Sequence, residues 1–289
     1  MNIKKEITSG FRCKTYIVEE NKNIFIYQEY KDNAYYQAKK KYDILRKIQE
    51  KEYSAFIPKC YKYFNLNNKS VLYTELKNGQ SLEKVRKCKG KFPLSKIAKE
   101  LSETLYKVHS IKDSECFGWI TDNGCMGQNT LLEYVENEIE RVQPVLEKKL
   151  SAEDFAYIRE KEEEVKKYVR SLRNIEPQLI WYDLNPENIL IEDDRLSAVV
   201  DPGGAKYGIK EIDLAFIKME VCRDDNDFQS ILSEYKKLDE NVDEKLIEMM
   251  GVLVELDDMM LRLGENIFIP IPYCSNFKKI ISKNINWQK

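Results

Sequence analysis

The residues best able to do chemistry stand close together. Within Trp181-Tyr182-Asp183-Leu184-Asn185-Pro186-Glu187-Asn188 an aspartate precedes an asparagine by four intervening residues, and a second aspartate, Asp201, follows the apolar run Leu196-Ser197-Ala198-Val199-Val200. Phosphoryl transfer asks for such a set. The moving group carries spread negative charge, so a protein contributes metal ions and alignment more than covalent chemistry. Asn188 and Asp201 offer hard oxygen ligands of the kind Mg2+ accepts beside nucleotide phosphates. Asp183 can take the proton of an attacking hydroxyl and orient it. The plain alternative is a capped turn, in which these side-chain oxygens only satisfy backbone donors.

Composition narrows the other possibilities. A single histidine, His109, leaves imidazole-dependent metal sites and Ser-His or Cys-His nucleophiles hard to build. Carboxylates must therefore carry the acid-base work, and His109 itself reads as a packing or helix-terminal residue. The seven cysteines are odd in number and scattered, with no Cys-x-x-Cys pair, so neither a disulfide framework nor a zinc site is expected and a cytoplasmic setting fits. With 47 basic against 49 acidic residues, the net charge of −2 gives no pull toward nucleic acid or anionic lipid. The amino terminus lacks a signal-like apolar stretch, and no run approaches the ~18 apolar residues of a membrane span. The acidic run Asp224-Asp225-Asn226-Asp227 and the patch Glu255, Asp257 and Asp258 read as solvated faces, with attraction of a cationic ligand as the other reading.

The positioning elements follow from periodicity. Residues 7–30 alternate apolar and polar around the turn Glu20-Asn21-Lys22-Asn23, which predicts a hairpin. From 33 to 51 the spacing is helical, with Ala34, Ala38, Lys41, Leu45 and Ile48 on one face. Strands at 59–66 and 70–75 complete a small α+β unit, and Asn78-Gly79 breaks the pattern. Beyond Gly79 the chain reads as mainly helical, with helices near 94–110, 131–150 and 152–172, the second kinked or ended by Pro144. One β-rich island, from Gln178 to Val200, interrupts them and carries the candidate residues at its strand ends.

On these residues the chain resembles the aminoglycoside phosphotransferase and choline kinase superfamily. That family's catalytic segment reads roughly His-Gly-Asp-x-x-x-x-Asn, followed by an Asp-x-[Gly/Asp] metal loop. Ser9-Gly10-Phe11-Arg12-Cys13-Lys14-Thr15-Tyr16 is similar to its phosphate-covering loop, and Val71 through Leu82 to its hinge, where Glu75, Leu76 and Lys77 would bind adenine by backbone groups. Phe117-Gly118-Trp119 and Asp213-Leu214-Ala215 match further family words, and the resemblance makes Asp213 a brace for the catalytic loop. The stretch from Asp201-Pro202 to Ala215 is also similar to fructosamine kinases, with one extra residue before Tyr207-Gly208. The resemblance implies an α+β, two-lobed protein-kinase-like fold: a β-rich nucleotide-binding lobe over 1–77 and a mainly helical lobe over 78–289. It implies ATP, or GTP, with Mg2+ on Asn188 and Asp201, and Asp183 as the base.

Three positions depart from the family pattern. Trp181 stands where the family has histidine, and its indole N–H is able to donate one supporting hydrogen bond. The strand position of the phosphate-holding cation is Gln28, which brings no charge. The helix position of its glutamate partner is Lys41. Either the cation has moved from strand to helix and reaches the nucleotide from Lys41, or Lys41 snorkels to solvent, or the register is shifted by one and Lys40 is the inward residue.

Two function classes compete. One is transfer of the γ-phosphate to a hydroxyl of a small polar acceptor resembling an aminoglycoside, amino alcohol or glycated amine, for which a cationic character stays open. The other is a catalytically impaired scaffold that binds nucleotide or a partner protein, favoured by Gln28 and Trp181 and opposed by the joint presence of Asp183, Asn188 and Asp201. A protein kinase fits less well, because the stretch between Asp201 and Asp213 is short for a peptide-docking segment.

Overall fold

The computed structural model describes residues 2–8, 13–31, 34–52, 54–66, 69–122, 124–264 and 271–284. The chain begins with strands β1 (Asn2–Thr8), β2 (Cys13–Glu20) and β3 (Asn23–Tyr30), then helix α1 (Tyr35–Lys51), β4 (Cys60–Leu66) and β5 (Lys69–Glu75). The five strands form one antiparallel sheet in the order β1-β2-β3-β5-β4. The expected hairpin is the β2–β3 pair. Its two-residue turn places Asn21 and Lys22 at φ 51° and 66°, the left-handed pair whose twist matches the flanking strands. On α1, the face read from the sequence is the buried one: Ala34, Ala38, Lys41, Leu45 and Ile48 all lie inside.

After β5 the chain crosses to the second part through β6 (Gln80–Ser81), which pairs with a strand of that part, and α2 (Leu82–Lys89). We propose that the lobe boundary lies in this crossing, at 77/78. Gly79 fits there because its φ of 106° and its contact with the Ile191 carbonyl, 2.6 Å from where a Cβ would stand, exclude a side chain. A 3-10 turn (Leu94–Lys96) leads into α3 (Ala98–His109), and then come β7 (Phe117–Thr121), β8 (Gly124–Gln128), α4 (Leu131–Lys149) and α5 (Ala152–Ser171). Helix α4 runs through Pro144 rather than ending there. Glu140, whose carbonyl the missing N–H would have served, is exposed.

The β-island comprises β9 (Gln178–Ile180), β10 (Ile189–Glu192) and β11 (Arg195–Val199), and a further strand, β12 (Lys206–Gly208), follows it. It is less isolated than the sequence implied. β9 and β12 join the β7–β8 hairpin in a four-stranded sheet of order β8-β7-β12-β9, while β10 pairs with both β11 and β6. The hairpin also corrects the cysteine reading: Cys116 and Cys125, nine residues apart, are joined by a disulfide that only the folded hairpin makes possible. Helix α6 (Lys210–Phe216), a π-helical segment (Ile217–Val221), α7 (Asp225–Lys236), α8 (Glu244–Gly264) and α9 (Lys278–Asn284) complete the described chain. Among the described residues no helix is long and apolar enough to cross a membrane.

The acidic runs turn out to be mainly structural. Asp224 caps α7 by accepting from the Asp227 amide, and Asp227 in turn accepts from the amides of Leu94 and Arg223. Glu255 accepts from the amides of Asn276 and Phe277 and so anchors the segment leading into α9.

Candidate active site

Strand β9 delivers the catalytic segment. Immediately after it, the Asp183 amide donates to the Trp181 carbonyl at 2.9 Å, closing a three-residue turn around Tyr182, whose φ is 68°. A positive φ at a bulky residue costs on the order of 1–3 kcal/mol and persists only where the surroundings hold it. Here Asp213 holds it. The Asp213 carboxylate, fully buried on α6, accepts from the Trp181 amide through Oδ2 and from the Tyr182 amide through Oδ1, both at 2.7 Å. His109 donates from Nε2 to the same Oδ2 (2.9 Å) while Nδ1 accepts from the Tyr235 hydroxyl (2.6 Å). The lone histidine is a buried brace at the end of α3. The Trp181 indole plays no such part: among the described residues its Nε1 has no hydrogen-bond partner.

Turn capping falls to Asn185. Its Oδ1 accepts from the amides of Glu187 and Asn188, and its Nδ2 donates to Asp183 Oδ1 at 2.8 Å. Asn188 donates from Nδ2 to the Asp183 carbonyl (3.0 Å), which leaves its amide oxygen as the atom able to ligate a cation. The Asp183 side chain is open to solvent at the cleft surface yet densely surrounded by protein. That partial desolvation raises its pKa, the Asn185 hydrogen bond opposes the rise, and the nearby Asp201 charge adds to it.

Asp201 follows β11 in the left-handed conformation (φ 60°), and its carboxylate accepts from the Gly203 amide. Two glycines make the closest approaches possible. A Cβ on Gly203 would lie 2.9 Å from Lys41 Cε, and one on Gly204 would lie 2.7 Å from Asp183 Cβ. Lys41, reaching in from α1, places Nζ 2.6 Å from Asp201 Oδ1. Burial disfavours this ammonium, but the charges and hydrogen bonds of Tyr30 and Asp201 outweigh it and hold its pKa above the ordinary lysine range. Its neighbour Lys40 is also inward, donating to the Gly203 carbonyl at 3.0 Å, and burial together with the Lys41 charge lowers it to about 8. Both lysines thus face the site.

Asp183, Asp201, Lys40, Lys41 and Trp119 line one cavity of about 900 Å3, walled on one side by the β7–β8 hairpin. The remaining candidates lie elsewhere. Gln28 is on β3 with its side chain toward Thr15 and Tyr30, and it is Tyr30, two residues on, that meets Lys41. Glu75 accepts from the Lys59 amide and pairs with Lys77, and Lys77 also donates to the Ala55 carbonyl; with Leu76 they stand outside this cavity. Ser9 and Gly10 fall outside the described residues.

Sequence reasoning missed Glu220 and Lys206, while Asp258 stood in the acidic patch already read as able to attract a cation. Glu220, in the π-helical segment, hydrogen-bonds Asp258 of α8 and is near enough to Asp183 for their charges to interact. Burial raises both carboxyls; the hydrogen bond with Asp258 opposes the rise at Glu220, whereas the Glu220 charge adds to it at Asp258, which reaches about 9. Lys206 of β12 is fully buried against the Tyr182 ring. Neither had a motif to announce it; a π-helical turn, common at functional sites, leaves no simple mark on sequence period.

Similar folds occur in solved structures. An aminoglycoside phosphotransferase, APH(4)-Ia, in a ternary complex with AMP-PNP and hygromycin B is matched with a TM-score of 0.68 at 12% identity, over 91% of this chain and 87% of that one. ADP-bound APH(2'')-Ib is matched with a TM-score of 0.61 at 17% identity, over 98% and 91% of the chains. The gentamicin complex of APH(2'')-IIa gives 0.60 at 18% identity, over 90% and 84%. At such identities the likeness shows the fold: α+β and two-lobed, the protein-kinase-like architecture of these enzymes. No curated protein is matched by the sequence. The family model of the phosphotransferase enzyme family matches residues 5–240, a span holding Asp183, Asn188, Asp201 and Asp213, and the chain therefore belongs to that family.

Proposed function

We propose that the protein transfers the γ-phosphoryl group of ATP, with GTP as the alternative donor, to a hydroxyl of a small polar acceptor. The observation that carries this reading is the convergence of Asp183 and Asp201 on one cavity, with Asn188 tied to the Asp183 backbone. The acceptor oxygen bonds to the γ-phosphorus as the bond to the β–γ bridging oxygen breaks; the hydroxyl proton passes to Asp183 and ADP leaves. A carboxyl held above its usual pKa suits that task. The Asp201 carboxylate and the Asn188 amide oxygen fit Mg2+, which takes one or two hard protein ligands beside phosphates. Bound there, Mg2+ would neutralise charge on the phosphates. Among the described residues no three His, Cys, Asp or Glu side chains gather into an all-protein metal site.

The acceptor we favour carries an amine. Glu220 Oε1 and Asp258 Oδ2 are buried without a hydrogen-bond partner among the described residues, and the Glu220 charge interacts with that of Asp183. An ammonium would satisfy both oxygens and draw the shared proton off the pair. Phosphorylation assays with Mg2+ and ATP or GTP against aminoglycosides, amino alcohols, glycated amines and nucleosides test this. Turnover confined to acceptors without an amine would overturn the acceptor class. One contact favours the scaffold reading instead: Lys41 already neutralises Asp201. If no nucleotide shifts the melting temperature in the presence of Mg2+, the transferase reading fails and the scaffold reading stands.

A further inference from the structure

We propose that Lys206 is a positioning residue: its ammonium, pressed against the face of the Tyr182 ring, holds the strained turn that presents Asp183. The proposal rests on the reading of Asp183 as the base. Tyr182 stands at φ 68°, a conformation that glycine adopts freely and a bulky residue does not, so the turn must here be held by other means.

The geometry supplies the means. Lys206 lies in the middle of the four-stranded sheet, opposite Ile180 on β9 and Trp119 on β7. Its Nζ is 3.5 Å from the centre of the Tyr182 ring, 4.9 Å from that of Trp119 and 5.0 Å from that of Tyr134. It is fully buried, and among the described residues Nζ has no hydrogen-bond partner. A lysine that only filled space would be replaced at no loss by an apolar residue, whereas an ammonium enclosed by three rings is attracted to their faces, most strongly where water is excluded.

Charges close the arrangement into a circuit. Glu138 of α4 stands 3.9 Å from Nζ and pairs with Arg141, Arg141 pairs with Asp257 of α8 at 2.7 Å, and the Tyr182 hydroxyl donates to Asp257 at 3.4 Å. The ring of Tyr182 is thus held at its face by a cation and at its hydroxyl by a carboxylate, and Phe216 packs edge-on beside it. A ring held in this way anchors the Tyr182 side chain and so restrains the backbone whose next residue is Asp183.

Lys206→Met keeps the length and removes the charge. Release of ADP from Mg2+·ATP, with water as acceptor, is expected to fall about tenfold, while the dissociation constant of AMP-PNP changes less than about twofold, since only the turn is disturbed. Tyr182→Gly gives the turn a residue that needs no support, so adding Lys206→Met to that variant should change turnover by less than about twofold. Hydrogen exchange reads the same question without turnover: the Tyr182 and Asp183 amides should exchange faster in Lys206→Met, with α5 and α7 unchanged. Equal exchange at those two amides, or an equal loss of turnover with and without Tyr182, overturns the proposal. Asp183→Asn is assayed in parallel. If that variant turns over like wild type, the base assignment falls by itself, and the exchange data still decide whether Lys206 holds the turn.

Discussion

Lys41 Nζ lies 2.6 Å from Asp201 Oδ1, so a helix lysine pairs directly with the carboxylate that follows β11. The strand residue that meets Lys41 is Tyr30, and Gln28, which shares its face, brings no charge. In a cleft of low effective dielectric a unit charge a few ångströms from a triphosphate contributes on the order of a few kcal/mol. Lys41 is placed to supply it.

Lys41→Met is therefore expected to weaken ATP binding at least about tenfold, or ~1.4 kcal/mol. Gln28→Met should do less harm. Lys39, whose partner is Asp43 on the outer face of α1, should tolerate the same change almost unaltered. Calorimetric titration with ATP and Mg2+ compares the three, and a Lys41 variant equal to wild type would move the charge to Lys40.

Asp201→Ala is expected to remove the magnesium dependence of nucleotide binding while the fold persists, because the carboxylate is half exposed, although the buried Lys41 loses its ion partner. Nucleotide-induced shifts in melting temperature with Mg2+ and with EDTA would coincide in the variant. A shift that still depended on Mg2+ would exclude Asp201 as a ligand.

Asp183→Asn keeps the shape and the contact with Asn185 but cannot take a proton. Turnover should fall roughly a hundredfold or more with nucleotide affinity little changed. Steady-state assays with a confirmed acceptor measure this, and unchanged turnover would reassign the base.

Glu211 gives a stability prediction with a definite sign. Burial raises its carboxyl to about 7, against the opposing charge of Lys210 and a hydrogen bond from the Asp243 amide. Between the unfolded value near 4.5 and the folded value near 7, the native protein holds a proton that the unfolded chain has released. Stability must fall as pH rises through that window, by about 3 kcal/mol in all. Urea unfolding at pH 5 and pH 8 should show a loss in the wild type that is smaller by about this amount in Glu211→Gln.

What the sequence determined by itself is local or carried by spacing. The buried face of α1, the β2–β3 turn, and the order of Asp183, Asn188 and Asp201 along the chain were legible because helix and strand periods and short motifs are properties of neighbouring residues. His109 read correctly as a packing residue, since a lone imidazole without a second motif offers no chemistry. The tertiary structure decided whatever depends on distant segments meeting. Lys40 and Lys41 both proved inward, because the two glycines after Asp201 let α1 approach closely enough for either amine to reach the loop. Trp181 lost its expected hydrogen bond because Asp213 and His109, from α6 and α3, brace the turn through its backbone instead. Cys116 met Cys125, Glu220 met Asp258, and Lys206 met Tyr182 across elements whose packing no period encodes. Such meetings are set by sheet order and helix docking, and those depend on the summed burial of the whole chain rather than on any one stretch of it.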